Sequence, residues 1–322
     1  VIAADLEGFL RRAGCAFREV DVLPGDLSQR RYFRVALESG ASLLAAHYPE
    51  ELRASMARFE MAQSWLAAAG VRVPAIQLSD RASGWMLVED LGPRTLFEAA
   101  ADGRAAHEAR FLAAVDIAGR IAGLDRDRVV ELGNPPLDGD ALRRELDPTF
   151  EFLFDPGGLA ELPGERQELA LALDELCRRI ADDPLVPCHR DFMARNLVPL
   201  ADGGLAVIDF QDLRLGPPAY DLAALLNDSF FPDEALEDRL LPAGRRAGRA
   251  REQYARTVVQ RALKAAGTFA RFAARGRPRH LPLIAPTLGR AAVHLAALPE
   301  TAGAFAPLRQ WFALQPARDP FC

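Results

Sequence analysis

His189-Arg190-Asp191-Phe192-Met193-Ala194-Arg195-Asn196 places an acid and an amide five positions apart in a short polar segment. Apolar runs flank it, Leu185 to Cys188 before and Leu197 to Leu200 after, so it reads as a loop between two strands. Transfer of a phosphoryl group to an alcohol needs a carboxylate that positions the hydroxyl and accepts its proton. It also needs oxygen ligands for a divalent cation beside the phosphates. The spacing H-R-D-x-x-x-x-N supplies both from one turn. Thirteen residues beyond Asn196, Val207-Ile208-Asp209-Phe210 sets a second acid just after an apolar run. The turn Ala201-Asp202-Gly203-Gly204 predicts a hairpin that returns Asp209 toward Asn196. The same residue types also serve as turn formers and helix caps, which is the competing structural reading of Asp191, Asp209 and Asn196.

Working outward, the N-terminal third alternates short β-type runs with turns. A helix is expected over Asp5 to Ala13, strands over Phe17 to Leu23, Arg31 to Leu37 and Ser42 to Tyr48, and a long helix over Glu50 to Ala69. Two further strands, Ala75 to Leu78 and Gly84 to Glu89, lead to a break at Gly92-Pro93. From Thr95 the pattern is mostly helical, with helices expected over Arg104 to Leu124, Asp138 to Phe154 and Gly164 to Ala181, and a long helix or helix pair over Gly244 to Arg275. The fold class is therefore α+β: a small antiparallel sheet with one long helix (residues 1–92), then a larger, mainly helical part (93–322).

Composition narrows the function classes. The chain has 322 residues, 50% hydrophobic and 26% charged, with a net charge of −6. It contains no apolar run long enough to cross a bilayer. Val1 to Gly14 is charged and amphipathic, unlike a secretory signal. Cys15, Cys177, Cys188 and Cys322 have no finger or disulfide spacing, which predicts buried thiols in a reducing cytoplasm. The negative net charge argues against nucleic acid as a partner. From Phe231 onward, 15 Lys plus Arg face 7 Asp plus Glu. The basic stretch Arg245 to Arg261 is expected to be a solvated helix face. Lys264 is the single lysine; every other basic side chain apart from histidine is an arginine.

Taken together, Asp26 to Arg34 (DLSQRRYFR), Cys188 to Leu197 (CHRDFMARNL), Val207 to Asp212 (VIDFQD), Gly216 to Leu226 (GPPAYDLAALL) and Val259 to Arg271 (VQRALKAAGTFAR) make the chain resemble the aminoglycoside phosphotransferase family of small-molecule kinases. Within that family the similarity is greatest to bacterial N-acetylmuramate/N-acetylglucosamine anomeric kinases of cell-wall sugar recycling. The resemblance implies a two-lobed, protein-kinase-like fold and an ATP- and Mg2+-dependent sugar kinase. It implies Asp191 as catalytic base, Asn196 and Asp209 as magnesium ligands, and Asp221 as a buried acid tying the catalytic loop to the following helix. Nucleotide contacts are expected from Ser28, Arg30, Arg31 and Arg34, and from the hinge at Glu89 and Leu91. Arg195, Gln211, Asp212, Asn227 and Asp228 are the candidate contacts to the sugar. A cytoplasmic monomer that touches neither membrane nor nucleic acid is expected.

One departure from the kinase pattern matters. Small-lobe strands normally supply a lysine to the nucleotide phosphates, and no lysine precedes Lys264. Either an arginine among Arg30, Arg31 and Arg34 takes its place, or the chain is a nucleotide-binding module without catalysis. Glu60, the helix acid that would pair with such a lysine, is then left without its usual partner. Other acceptors also remain open, a uronic acid or another small alcohol among them. The cationic C-terminal region counts against an aminoglycoside.

Overall fold

The computed structural model describes residues 4–23, 29–99, 103–154, 163–227 and 230–314. Ser28 and Asp228, and most of the expected phosphate-covering loop Asp26 to Gln29, lie outside the described residues. The chain forms two compact units, Val1–Thr95 with Leu197–Gln211, and Leu96–Asn196 with Asp212–Cys322.

The first unit is built on a five-stranded antiparallel sheet of order β1-β2-β3-β5-β4. Its strands are β1 (Phe17–Leu23), β2 (Arg31–Leu37), β3 (Ser42–His47), β4 (Ile76–Asp80) and β5 (Trp85–Glu89). Side chains alternate across a strand, so β2 sends Phe33 and Val35 to one face and Tyr32 and Arg34 to the other. On the first face Phe33, Val35, Ala45, Trp85 and Leu87 pack against Leu6, Phe9 and Leu10 of α1 (Ala4–Arg12). On the second, Ala46, Tyr48, Met86 and Val88 pack with Met56 of α2 (Ala54–Ala68). The helix expected from Glu50 starts as a 3-10 turn, Glu50–Leu52, before α2.

The second unit carries α3 (Arg104–Ala122), α4 (Arg126–Glu131), α5 (Gly139–Arg144), the turn α6 (Asp147–Thr149) and α7 (Pro163–Ile180). The single helix expected over Asp138 to Phe154 is broken. Pro148 sits at the start of α6, and Phe150–Phe154 winds as a π-helix. Four short strands follow α7: β6 (Val186–Cys188), β7 (Leu197–Pro199), β8 (Leu205–Val207) and β9 (Arg214–Gly216). β6 pairs with β9 in the second unit. The antiparallel hairpin β7–β8 belongs with the first unit. There Val207 N donates to Arg72 O at 2.8 Å, and Phe210 stacks on Phe59 with ring centroids 4.6 Å apart. A division at residue 92 follows chain order, whereas these contacts place the hairpin with the sheet.

The rest of the second unit is α8 (Tyr220–Asn227), α9 (Glu234–Leu240), α10 (Gly248–Ala274), α11 (Leu281–Ala296) and α12 (Ala306–Leu314). The expected solvated basic face on α10 is corrected: Arg256 and Arg261 are buried among α10's core residues. Arg256 pairs with Glu252 at 2.9 Å and with Glu300. Arg249 and Arg251 are held by Asp183 and Asp238. These arginines are each tied to individual acids, so the regional balance of charge describes no pocket. Burial pushes the Cys177 thiol up to about 12, consistent with a packing role. Among the described residues, no helix is long and apolar enough to cross a membrane.

Gly267 in α10 explains part of the GTFAR stretch. A Cβ there would lie 2.5 Å from Thr149 N and Oγ1, and Thr149 Oγ1 donates to Leu263 O at 2.8 Å. Gly267→Ala is therefore expected to cost about 1–3 kcal/mol by overpacking against backbone. Urea unfolding checks this; an unchanged midpoint would contradict the close approach.

Candidate active site

The loop expected to carry the chemistry is pinned from behind. The Asp221 carboxylate, at the start of α8, accepts the His189 amide at 2.7 Å and the Arg190 amide at 3.0 Å. Burial pushes the Asp221 carboxyl upward, opposed by His189 and by these two amides. Arg190 adopts φ +78°, a conformation rare outside glycine. Asn196 Nδ2 donates to Asp191 O at 2.8 Å and closes the turn, which leaves the amide oxygen of Asn196 to accept or ligate.

Asp191 keeps 28% of its side chain exposed. No hydrogen bond to its carboxylate is present among the described residues. Two cations flank it instead: Lys264 Nζ is 3.9 Å from Oδ1, and Arg190 Nη1 is 3.9 Å from Oδ2. Burial alone would raise its pKa; Lys264, then Arg190 and Arg261, overcome that and hold it below the ordinary value. Glu145 stands behind these cations, with Oε1 at 3.3 Å from Lys264 Nζ and 3.4 Å from Arg190 Nη2. Its Oε2 accepts the Tyr220 hydroxyl at 2.7 Å. Arg261 lies over the Tyr220 ring at 4.4 Å and donates to Arg190 O at 3.0 Å. Sequence reasoning missed Lys264, Glu145 and Arg261. The signal was present only for Lys264, as the one lysine, and its 73-residue separation from Asp191 hid the contact.

In the first unit, Asp209 sits just after β8 with φ +64° and its carboxylate 46% exposed. Gln211 Nε2 donates to Asp209 Oδ1 at 2.7 Å. Arg30 Nη2 lies 3.8 Å from the same oxygen, and the guanidinium is 5.9 and 5.6 Å from the ring centres of Tyr32 and Tyr48. Burial pushes the Tyr32 hydroxyl up to about 12. The other two arginine candidates are placed differently. Arg34 forks onto Asp90 at 2.7 and 3.2 Å, and Ser42 Oγ also donates to Asp90. Arg31 lies over Phe33, at 5.3 Å, on the α1 side of the sheet.

Glu60, which has no lysine to pair with in the sheet, accepts instead from Arg81 and from Ser79 Oγ. The hinge acids are used within the unit. The Glu89 carboxylate pairs with Arg72, and the Glu89 amide donates to Ala75 O at 2.8 Å. Leu91 lies beyond the end of β5, outside the ladder.

The sugar candidates divide. The Arg195 guanidinium stacks on Phe97 at 4.3 Å. Asp212 accepts Arg190 Nη1 at 2.8 Å and lies 3.5 Å from Arg214, so it braces the loop. Asn227 is corrected: it is buried, donating to Tyr254 OH at 2.9 Å and accepting from Arg290 Nε at 2.8 Å. It belongs to a network around Glu237, which accepts Arg290 Nη2 and Tyr254 OH, both at 2.6 Å. Burial would raise the Glu237 carboxyl, but His294, Arg290 and Tyr254 bring it from 4.5 down to about 2. A depressed carboxyl stabilises the fold above its unfolded value. That contribution is lost as pH falls from about 4.5 through about 2. Glu237→Gln leaves the buried Arg290 charge without its carboxylate and is expected to cost about 3–5 kcal/mol at pH 7. Urea unfolding of wild type and variant from pH 7 to pH 3 checks both statements.

Among the described residues, no three His, Cys, Asp or Glu side chains are grouped to hold a metal by themselves. The half-exposed Asp209 carboxylate and the Asn196 amide oxygen are each hard donors of the kind that magnesium takes alongside phosphate oxygens.

The sequence pattern of the phosphotransferase enzyme family matches residues 19–257. The N-acetylmuramate/N-acetylglucosamine kinase of Neisseria meningitidis serogroup B is 31% identical over 276 residues, covering 80% of each chain. The protein of the same description from Pseudomonas aeruginosa is 34% identical over 277 residues, covering 80% of this chain and 78% of that one. Among solved structures, a choline kinase from Streptococcus pneumoniae is similar in fold, with a TM-score of 0.60 at 16% identity. It covers 90% of this chain and 100% of that one.

Proposed function

The chain belongs to the phosphotransferase enzyme family, and from that premise we propose that it moves the γ-phosphoryl group of ATP to the C1 hydroxyl of N-acetylmuramate or N-acetylglucosamine. The observation that carries this reading is the Asp191 carboxylate: held on a pinned loop, flanked by two cations at 3.9 Å, and accepting no hydrogen bond among the described residues. Such a group is ready to take the proton of an acceptor hydroxyl. An anomeric hydroxyl is more acidic than other sugar hydroxyls and so is easier for a carboxylate to activate. The sugar identity rests on the relatives.

By the family resemblance Asn196 and Asp209 would be the magnesium ligands, and magnesium when bound neutralises phosphate charge. Arg30 takes the role of the missing lysine, and Leu91 that of the hinge contact to the adenine. Arg195 and Gln211 remain the candidates for the acceptor. The setting is the cytoplasm, in recycling of cell-wall sugars.

The test is ATP consumption with magnesium against N-acetylmuramate, N-acetylglucosamine, glucose, glucuronate, galacturonate and kanamycin, with NMR of the product. Phosphate on C1 of an N-acetyl sugar is the expected result. Turnover of a uronic acid alone overturns the substrate. Silence across the panel with tight ATP binding overturns the activity and favours a nucleotide-binding module.

A further inference from the structure

The two cations beside Asp191 stop short of it. A charge-assisted N–H···O bond closes at about 2.7–2.9 Å, yet both stand at 3.9 Å, one to each carboxylate oxygen. In a half-buried site, attraction between unit charges at that separation is large, so something must hold them back. Glu145 does so, lying nearer to Lys264 (3.3 Å) and to Arg190 (3.4 Å) than Asp191 does. Glu145 is itself fixed: it caps the C-terminus of α5, and its other oxygen is taken by Tyr220. Arg190 has a second restraint in Asp212 at 2.8 Å. Among the described residues, Lys264 has only a 3.5 Å contact to the Tyr220 hydroxyl besides the two carboxylates.

We propose that Glu145 is a positioning residue that holds Lys264, and with it Arg190, away from Asp191. Both oxygens of Asp191 then stay open to the acceptor hydroxyl while two positive charges remain within 4 Å. Without the charge of Glu145, Lys264 moves onto Asp191 and occupies the lone pair that the substrate proton needs. The proposal rests on the reading of Asp191 as the base.

Glu145→Gln keeps the shape and an acceptor for Tyr220 but removes the charge. We expect kcat to fall about 100-fold with KM for ATP unchanged. Adding Lys264→Met to Glu145→Gln should recover about tenfold of that loss, because the blocking group is gone. A structural role for Glu145 predicts the opposite, since a second core substitution adds damage. Full activity of Glu145→Gln overturns the proposal, as does a loss that Lys264→Met leaves in place while near-UV circular dichroism stays native.

A second measurement needs no turnover. Protein labelled with [13Cε]lysine has one side-chain lysine signal, from Lys264. That signal should shift on Glu145→Gln and shift again when Asp191→Asn is added; no response to Asp191→Asn in that background overturns the proposal. If wild type phosphorylates no sugar while the lysine signal responds as expected, the substrate reading fails and the positioning role stands.

Discussion

Asp191→Asn is expected to lower kcat by about 10³- to 10⁴-fold while ATP binding and folding persist. The substitution is isosteric, and among the described residues the Asp191 carboxylate accepts no hydrogen bond and has cations no nearer than 3.9 Å, so the fold loses little with its charge. The turn is closed through the Asp191 carbonyl, which Asn196 holds at 2.8 Å and which the substitution retains. What disappears is a base kept ionised by Lys264 and Arg190 against the cost of burial. The amide has no comparable basicity and cannot take the acceptor proton. A coupled assay gives kcat, and urea unfolding gives the midpoint. Activity within tenfold of wild type, with the fold intact, would remove Asp191 from the chemistry.

Arg30→Met comes next, with an expected loss of about 10³-fold in kcat/KM for ATP, a magnitude typical of an arginine that meets transferring phosphates. Three arginines compete for the place of the absent small-lobe lysine, and their surroundings separate them. Arg34 is saturated by the Asp90 carboxylate, and Arg31 lies over Phe33 on the α1 side of the sheet. Arg30 is half-buried between two tyrosine rings, 3.8 Å from the Asp209 carboxylate. Arg30→Lys retains a point charge but not the fork and should lose about tenfold. Arg34→Met should leave nucleotide kinetics within about threefold, its cost falling on stability through Asp90. If Arg34→Met is the variant that loses ATP turnover, the assignment is reversed.

The pairing of Glu60 follows from the same substitution of chemistry. With no lysine in the sheet, its acid instead ties α2 to the end of β4 through Ser79 and Arg81. Chain order names no partner for Glu60, because Arg81 lies beyond the end of β4 rather than within the strand that the general pattern names.

The order of strands and helices was legible in the first unit because its elements are local. β1 and β2 occur at the bounds that alternation predicts, and the Ala201–Gly204 turn does join β7 to β8. Non-local elements were less legible. β9 is three residues with no pattern of its own, existing because Leu215 and its neighbours find β6. Pro148 and the π-helix break what periodicity reads as one helix. Asn227 looked like a ligand contact because it is polar near the candidate site, yet its amide completes a buried network with Tyr254 and Arg290.

Spacing alone determined that this chain holds an acid and an amide on one turn, with a second acid at the end of the next hairpin. Those are short-range facts, set by how few conformations a tight loop permits. Which charges surround the acid was decided only by tertiary structure. Lys264, Glu145 and Arg261 come from α10 and the end of α5, brought to Asp191 by the packing of buried helix faces. Coulomb energy depends on separation in space and on the local dielectric, neither of which is written in chain order.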